Sequence, residues 1–360
     1  MRRKSTIIIT LVVILIAFPI KSRAEGYTDG AIDDFRDILP EGMEDIADDT
    51  DALTERVGLR ALLTEIVSIL EGNVSGALAF LLSLICMGTL AALSGTVSTR
   101  LSSGVTWALG VLTSLLVFSH VGPLFSDCRS GMRELCEFFS SAIPIFTAVT
   151  VSSGATASAS AQAIGMNFTV SLIGGGGISL MSSAIGMGLA VALLSFLSDD
   201  GMSALSRSVH SFFKWLSGIA TALLAATVSL QNIVSSAADT AAMRAARYAV
   251  SGAIPIVGNT VSGALSTLTA GMAYARGVIG AGAVAVIISI TLSPLLVLLT
   301  YRCALSLATS FVTLLGCDVS VRIYSAFRSA LDSLAAVYSL CACVCIFEIV
   351  LFIKSGVSIF

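Results

Sequence analysis

The sequence predicts an all-α fold, a polytopic helical membrane bundle, on three observations. Of its 360 residues, 56% are hydrophobic and only 12% are charged, where soluble domains carry roughly 25% charged residues. Apolar stretches near the roughly 20 residues that a membrane helix needs recur along the chain. A third observation is an internal repeat, in which a short arginine-bearing segment ending in Ile-Pro is written twice.

The first element is an export signal. Arg2, Arg3 and Lys4 form a positive start, Thr6 to Ile20 an apolar core, and Ser22-Arg23-Ala24 offers small residues for cleavage. Residues 1–24 therefore read as a signal peptide, with an uncleaved anchor as the alternative because Lys21 and Arg23 stand close to the cleavage point. Residues 25–71 carry fourteen acids against three arginines. Leu and Ile at helical spacing (Leu59, Leu62, Leu63, Ile66) make this an acidic, helical, extracytoplasmic segment.

Residues 72–360 form the multispan domain. Spans are predicted near 75–98, 104–125, 168–197, 213–235, 277–300 and 334–353, with shorter or more polar stretches at 143–165, 253–273 and 303–316. Six to nine membrane segments follow. Three amphipathic segments, 126–141, 237–252 and 317–332, hold much of the remaining charge. Arg129, Arg133 and Glu137 are spaced by four, as are Arg328 and Asp332, which puts each set on one helix face. The simpler expectation is helices lying at the membrane interface. The sharper one is helices lining a polar path inside the bundle, where charge is costly and usually functional.

The repeat aligns residues 131–145 with 242–256, so that Arg133 falls on Arg244 and Pro144 on Pro255. Proline removes a backbone donor and disfavours helix in the residue before it. Ile143 and Ile254 are thus expected as joints between an amphipathic helix and a membrane-entering one. The copies extend near 126–198 and 237–302, and a parallel repeat is expected. Repeated halves with interrupted helices are one way to build a transporter site.

Other chemistry is excluded residue by residue. No basic block suggests nucleic acid. His120 and His210 lack metal-site or base partners, and their places near span ends suggest the interface. The tetraglycine at 174–177 lacks the Gly-Lys-Ser/Thr of a phosphate loop. Cys341-Ala-Cys-Val-Cys345 has two-residue spacing, which turns neighbours to different helix faces and suits buried helix cysteines. Glu348 is a lone acid in the last span. No catalytic constellation and no cofactor site emerge.

Ala142-Ile-Pro-Ile, followed by Ser152-Ser-Gly154, Ser158 and Asn167, resembles the stage III sporulation protein AE family. So does Arg244-Ala-Ala-Arg-Tyr248 with Ile254-Pro-Ile-Val-Gly258. The family pattern has Lys and Phe where Arg247 and Tyr248 stand, and a proline after Gly165 that this chain lacks.

The resemblance implies a multi-pass protein of the mother-cell membrane around the forespore, part of a secretion-like channel complex required for late forespore gene expression. It would act as gate or scaffold rather than catalyst. Implied partners are other stage III sporulation proteins of the same operon (an ATPase, ring-forming and small membrane subunits), the forespore-side stage II sporulation protein Q and the lipid bilayer. The alternative is a stand-alone secondary transporter with its site at the repeat interface. The candidate functional positions are Arg133, Pro144, Ser152, Ser153, Gly154, Asn167, Arg244, Arg247, Pro255, Gly258 and Glu348.

Overall fold

A computed structural model describes residues 59–96, 102–183 and 258–354, together with positions 186, 190, 208, 211 and 215 between them. The signal segment, the acidic stretch before residue 59, the span at 213–235 and the second repeat motif at 242–256 lie outside the described residues.

Five long helices are described: α1 (Leu59–Thr96), α2 (Ser102–Ser152), α3 (Thr156–Ser171), α4 (Gly258–Leu314) and α5 (Asp318–Lys354). A π-helical turn, Leu172–Gly177, carries α3 onward to residue 183. Four of them, and α3 together with its continuation to Ser183, contain a stretch long and apolar enough to cross a membrane. The expected all-helical membrane bundle is what the described residues form.

With 51 and 57 residues, α2 and α4 are about 75 and 85 Å long at 1.5 Å per residue, far beyond the roughly 30 Å of a hydrocarbon core. Together with α5 they make an extended three-helix stem. α1 packs at one end of it. There Phe80 lies against Tyr301 with ring centroids 5.4 Å apart, and the Tyr324 hydroxyl donates to the Leu84 carbonyl at 2.7 Å. α3 packs at the other end, against α2 and α5. Phe146 of α2 meets Phe352 of α5 there at 4.4 Å, and Gly177 admits Met132 from α2 and Cys341 from α5. Lipid tails are as apolar as leucine, so such close packing, rather than escape from water, drives helix association in a bilayer.

The structure corrects two expectations of geometry. Helix α2 passes straight through Ile143-Pro144, and Pro123 and Pro294 are likewise inside helices. Pro144 and Ser140, whose carbonyl the ring deprives of its helical donor, both lie on the exposed face, so neither interrupts the packed side. At Pro294 the deprived carbonyl is that of Ile290, and it accepts the Tyr338 hydroxyl at 3.4 Å.

The interruption instead falls at Ser153–Ala155. The Ala155 N–H bonds the Thr150 carbonyl at 3.3 Å, and the Gly154 N–H bonds the Val151 carbonyl at 2.8 Å. This is a Schellman ending, whose left-handed residue is Gly154 at φ 84°. The α4–α5 turn repeats it. Cys317 N–H bonds the Val312 carbonyl, Gly316 N–H bonds the Thr313 carbonyl, and Gly316 has φ 70°.

The second correction concerns the amphipathic segments 126–141 and 317–332. They are not separate interfacial helices but parts of α2 and α5, continuous with apolar sequence. Asp332, which its spacing sets on one helix face with Arg328, pairs with Arg302 of α4 across helices; one-helix spacing cannot register a neighbour 30 residues away.

Candidate functional site: a polar face between three helices

Where α3 lies against α2 and α5, its inward face carries Gln162, Met166, Thr169 and Ile173. The steps of four, three and four residues keep these on one side of the helix. Two of the four are polar, and each meets another buried polar group.

Thr169, 1% exposed, donates its hydroxyl to Glu348 Oε1 of α5 at 3.1 Å. Glu348 is 2% exposed, and its second oxygen, Oε2, has no hydrogen-bond partner. Two turns toward the α2–α3 connection, Gln162 is 8% exposed. Its Oε1 lies 3.4 Å from the Thr150 hydroxyl oxygen, and its Nε2 has no partner. Thr150 uses its hydroxyl proton on the Phe146 carbonyl at 2.7 Å. Buried Ser153 donates to the Thr150 carbonyl, also at 2.7 Å.

Five polar side chains or caps therefore run from the Ser153–Gly154 turn, exposed at Gly154, down to the carboxyl of Glu348. Buried polar groups are usually fully hydrogen-bonded, so two unpartnered atoms along one face of α3 make that face the candidate site.

The sulfur-rich neighbourhood extends the seam. Cys136 of α2 donates its thiol to the Val170 carbonyl at 3.8 Å, and its sulfur would lie 3.6 Å from a Cβ on Gly174. Cys341 and Cys345, four residues apart, are both buried, while Cys343 between them is only half so. All the described cysteines are free, and no group of three or more metal-capable side chains forms among the described residues.

The positions singled out in the sequence separate into two sets. Ser153, Gly154 and Glu348 belong to this seam. Arg133, Pro144, Ser152 and Asn167 are exposed. Ser152 and Asn167 spend their polar groups on the carbonyls of Ala148 and Ala163, one turn back in their own helices. Arg133 shares an outward face of α2 with Arg129 and Glu137. Gly258 opens α4. Arg244, Arg247 and Pro255 lie outside the described residues. His120 is half-buried within α2, its ring 4.9 Å from that of Phe80; His210 lies outside the described residues.

Sequence reasoning passed over Thr150, Gln162 and Thr169, which look like ordinary small polar residues of a membrane helix. For Gln162 and Thr169, the four-and-three spacing with Met166 was the available signal. It also passed over Arg276, 1% exposed in α4, whose Nε donates to the Met272 carbonyl at 3.4 Å while Nη1 has no partner.

No curated protein and no solved structure matches the chain. Its arrangement of five long apolar helices accompanies a match to one family model, described as stage III sporulation protein AE, over residues 43–357. The chain belongs to that family, and it is a sporulation-related, multi-pass membrane protein.

Proposed function

We propose that this protein is a membrane subunit of a secretion-like channel complex joining mother cell and forespore, required for late forespore gene expression. It acts there as gate or scaffold and not as a catalyst. It resides in the mother-cell membrane around the forespore, with the acidic residues 25–71 outside the cytoplasm as a docking surface. Its partners are the ATPase, ring-forming and small membrane subunits of the same stage III operon and the forespore-side stage II sporulation protein Q.

The observation that carries this reading is family membership across residues 43–357. An arrangement on α2 favours a role in assembly. Asp127, Arg129, Arg133, Glu134 and Glu137 are exposed together in the middle of a long, otherwise apolar helix. Such a cluster of exposed charge of both signs is well matched to the polar rim of a neighbouring subunit.

The test is recovery of the tagged full-length protein from sporulating cells. The operon partners co-purify with the wild type, and removal of residues 25–71 abolishes both their recovery and late forespore gene expression. Purification without any partner, together with solute uptake into liposomes by the protein alone, would establish the stand-alone transporter instead.

A further inference from the structure

The Glu348 seam has a composition that neither packing nor assembly calls for. A carboxyl group at 2% exposure has one oxygen on the Thr169 hydroxyl and the other on nothing. No ion pair reaches it among the described residues. The group bonded to it there is the Thr169 hydroxyl on α3, and the titratable side chain nearest in its own helix is the buried Cys345 thiol, three residues back. A purely structural acid would be expected to find a cation or a second donor, because an unpaired buried carboxylate is among the costliest groups a fold can hold. A carboxyl that holds its proton at rest needs no cation, and its charged form is reached only when the proton leaves.

The same helix face supplies a route. Gln162, 8% exposed with an unpartnered Nε2, lies seven residues from Thr169, about 10 Å along the helix. Beyond it Thr150 and Ser153 lead to the exposed Gly154 turn. Between the two polar positions sits Met166, fully buried. Methionine has three rotatable bonds and no branch, so it can swing aside where leucine or isoleucine would stay fixed.

We propose that Glu348 is a proton-exchange site inside the bundle, reached from the Ser153–Gly154 end along the Gln162–Thr169 face of α3, with Met166 as the movable barrier. One proton joins or leaves the carboxyl group and passes to or from water along that face; no electron moves and no other bond changes. Thr169 holds Oε1 in place, leaving Oε2 to carry the proton. This inference is independent of the assembly role, since it concerns one chain in a bilayer.

Infrared difference spectroscopy on the full-length protein in lipid vesicles, stepped in pH, tests it. A C=O band of a protonated carboxyl appears on acidification, is absent from Glu348→Gln, and shifts on transfer to D2O. Thr169→Val changes its frequency, because Oε1 loses its donor. That variant keeps the carboxyl, so the test survives if Glu348→Gln fails to fold. Exchange into D2O slows at least about tenfold in Gln162→Leu, where an apolar branch closes the route, a barrier change of about 1.4 kcal/mol. It quickens in Met166→Ala.

A band that never depends on Glu348, or that fails to exchange, overturns the proposal. Unchanged exchange in Gln162→Leu and Met166→Ala overturns the route. A band that sodium ions abolish at constant pH overturns proton exchange in favour of an alkali-cation site.

Discussion

Tyr338 shows how single residues set the close approach of the stem helices. Its hydroxyl donates to the Ile290 carbonyl that Pro294 leaves without a helical donor, and the same hydroxyl occupies the space where a Cβ on Gly131 would stand. Three helices thus meet at one phenol. At 3.4 Å the hydrogen bond is long, so Tyr338→Phe should lower stability by only about 0.5–1 kcal/mol. Gly131→Ala should cost more, about 1–3 kcal/mol, because the new methyl meets the hydroxyl, with the Pro294 ring only 3.6 Å away.

The two changes must be coupled. Deleting the hydroxyl removes the atom that the methyl strikes, so Gly131→Ala should cost less in the Tyr338→Phe background than alone. Thermal unfolding of the four proteins in detergent measures the cycle; strict additivity would show that the phenol is not what Gly131 accommodates. Little of this was legible in the sequence. Gly131 reads as one glycine among 31, and its partners are 163 and 207 residues further on. Glu348 did stand out, as a lone acid in an apolar run, but Thr169 lies 179 residues away, and no periodicity within either helix connects them.

At the scale of elements, the informative case is the Ile-Pro motif. Local chemistry argues for a joint at Ile143, and two facts of packing override it. Pro144 sits on the outer face, and the chain has a better stop ten residues on, where Gly154 takes a left-handed conformation that other residues adopt only at a cost. The helix therefore ends where its terminal carbonyls can be capped, not where a donor is missing.

Two expectations follow. Pro144→Ala should leave thermal stability unchanged or raised, since a helix-interior proline is unfavourable by about 3 kcal/mol where no kink is used. A lowered melting temperature would mean that the proline itself supports the packing of α2. Gly154→Ala should lower stability by about 1 kcal/mol through its positive φ; an unchanged melting temperature would show that the turn tolerates a side chain. Apolar length and periodicity made the helices themselves legible. Their boundaries were not, because charged stretches such as 126–141 and 317–332 read as separate amphipathic segments when seen without the partner helices that let them continue.

For the whole molecule, the question is how helices of 51 and 57 residues relate to one bilayer. About 20 residues of each suffice to cross it, so much of the stem extends past a single hydrocarbon core. Among the exposed charges of α2 between Asp127 and Glu137, Arg133 is the member that the sequence repeat sets opposite Arg244. If the repeat is parallel, a cysteine at 133 and a cysteine at 244 label from the same side of the membrane with a bilayer-impermeant maleimide.

The background must lack the native cysteines, since Cys86 and Cys303 are exposed. The cysteine at Arg133 should react readily from water, as its outward position on α2 requires. Labelling of 133 and 244 from opposite sides would make the two copies inverted halves. That outcome would shift the architecture toward an alternating-access transporter, whose halves relate by an axis in the membrane plane. Same-side labelling fits a gate or scaffold, in which like-oriented units present like-charged faces to the same ring of partners.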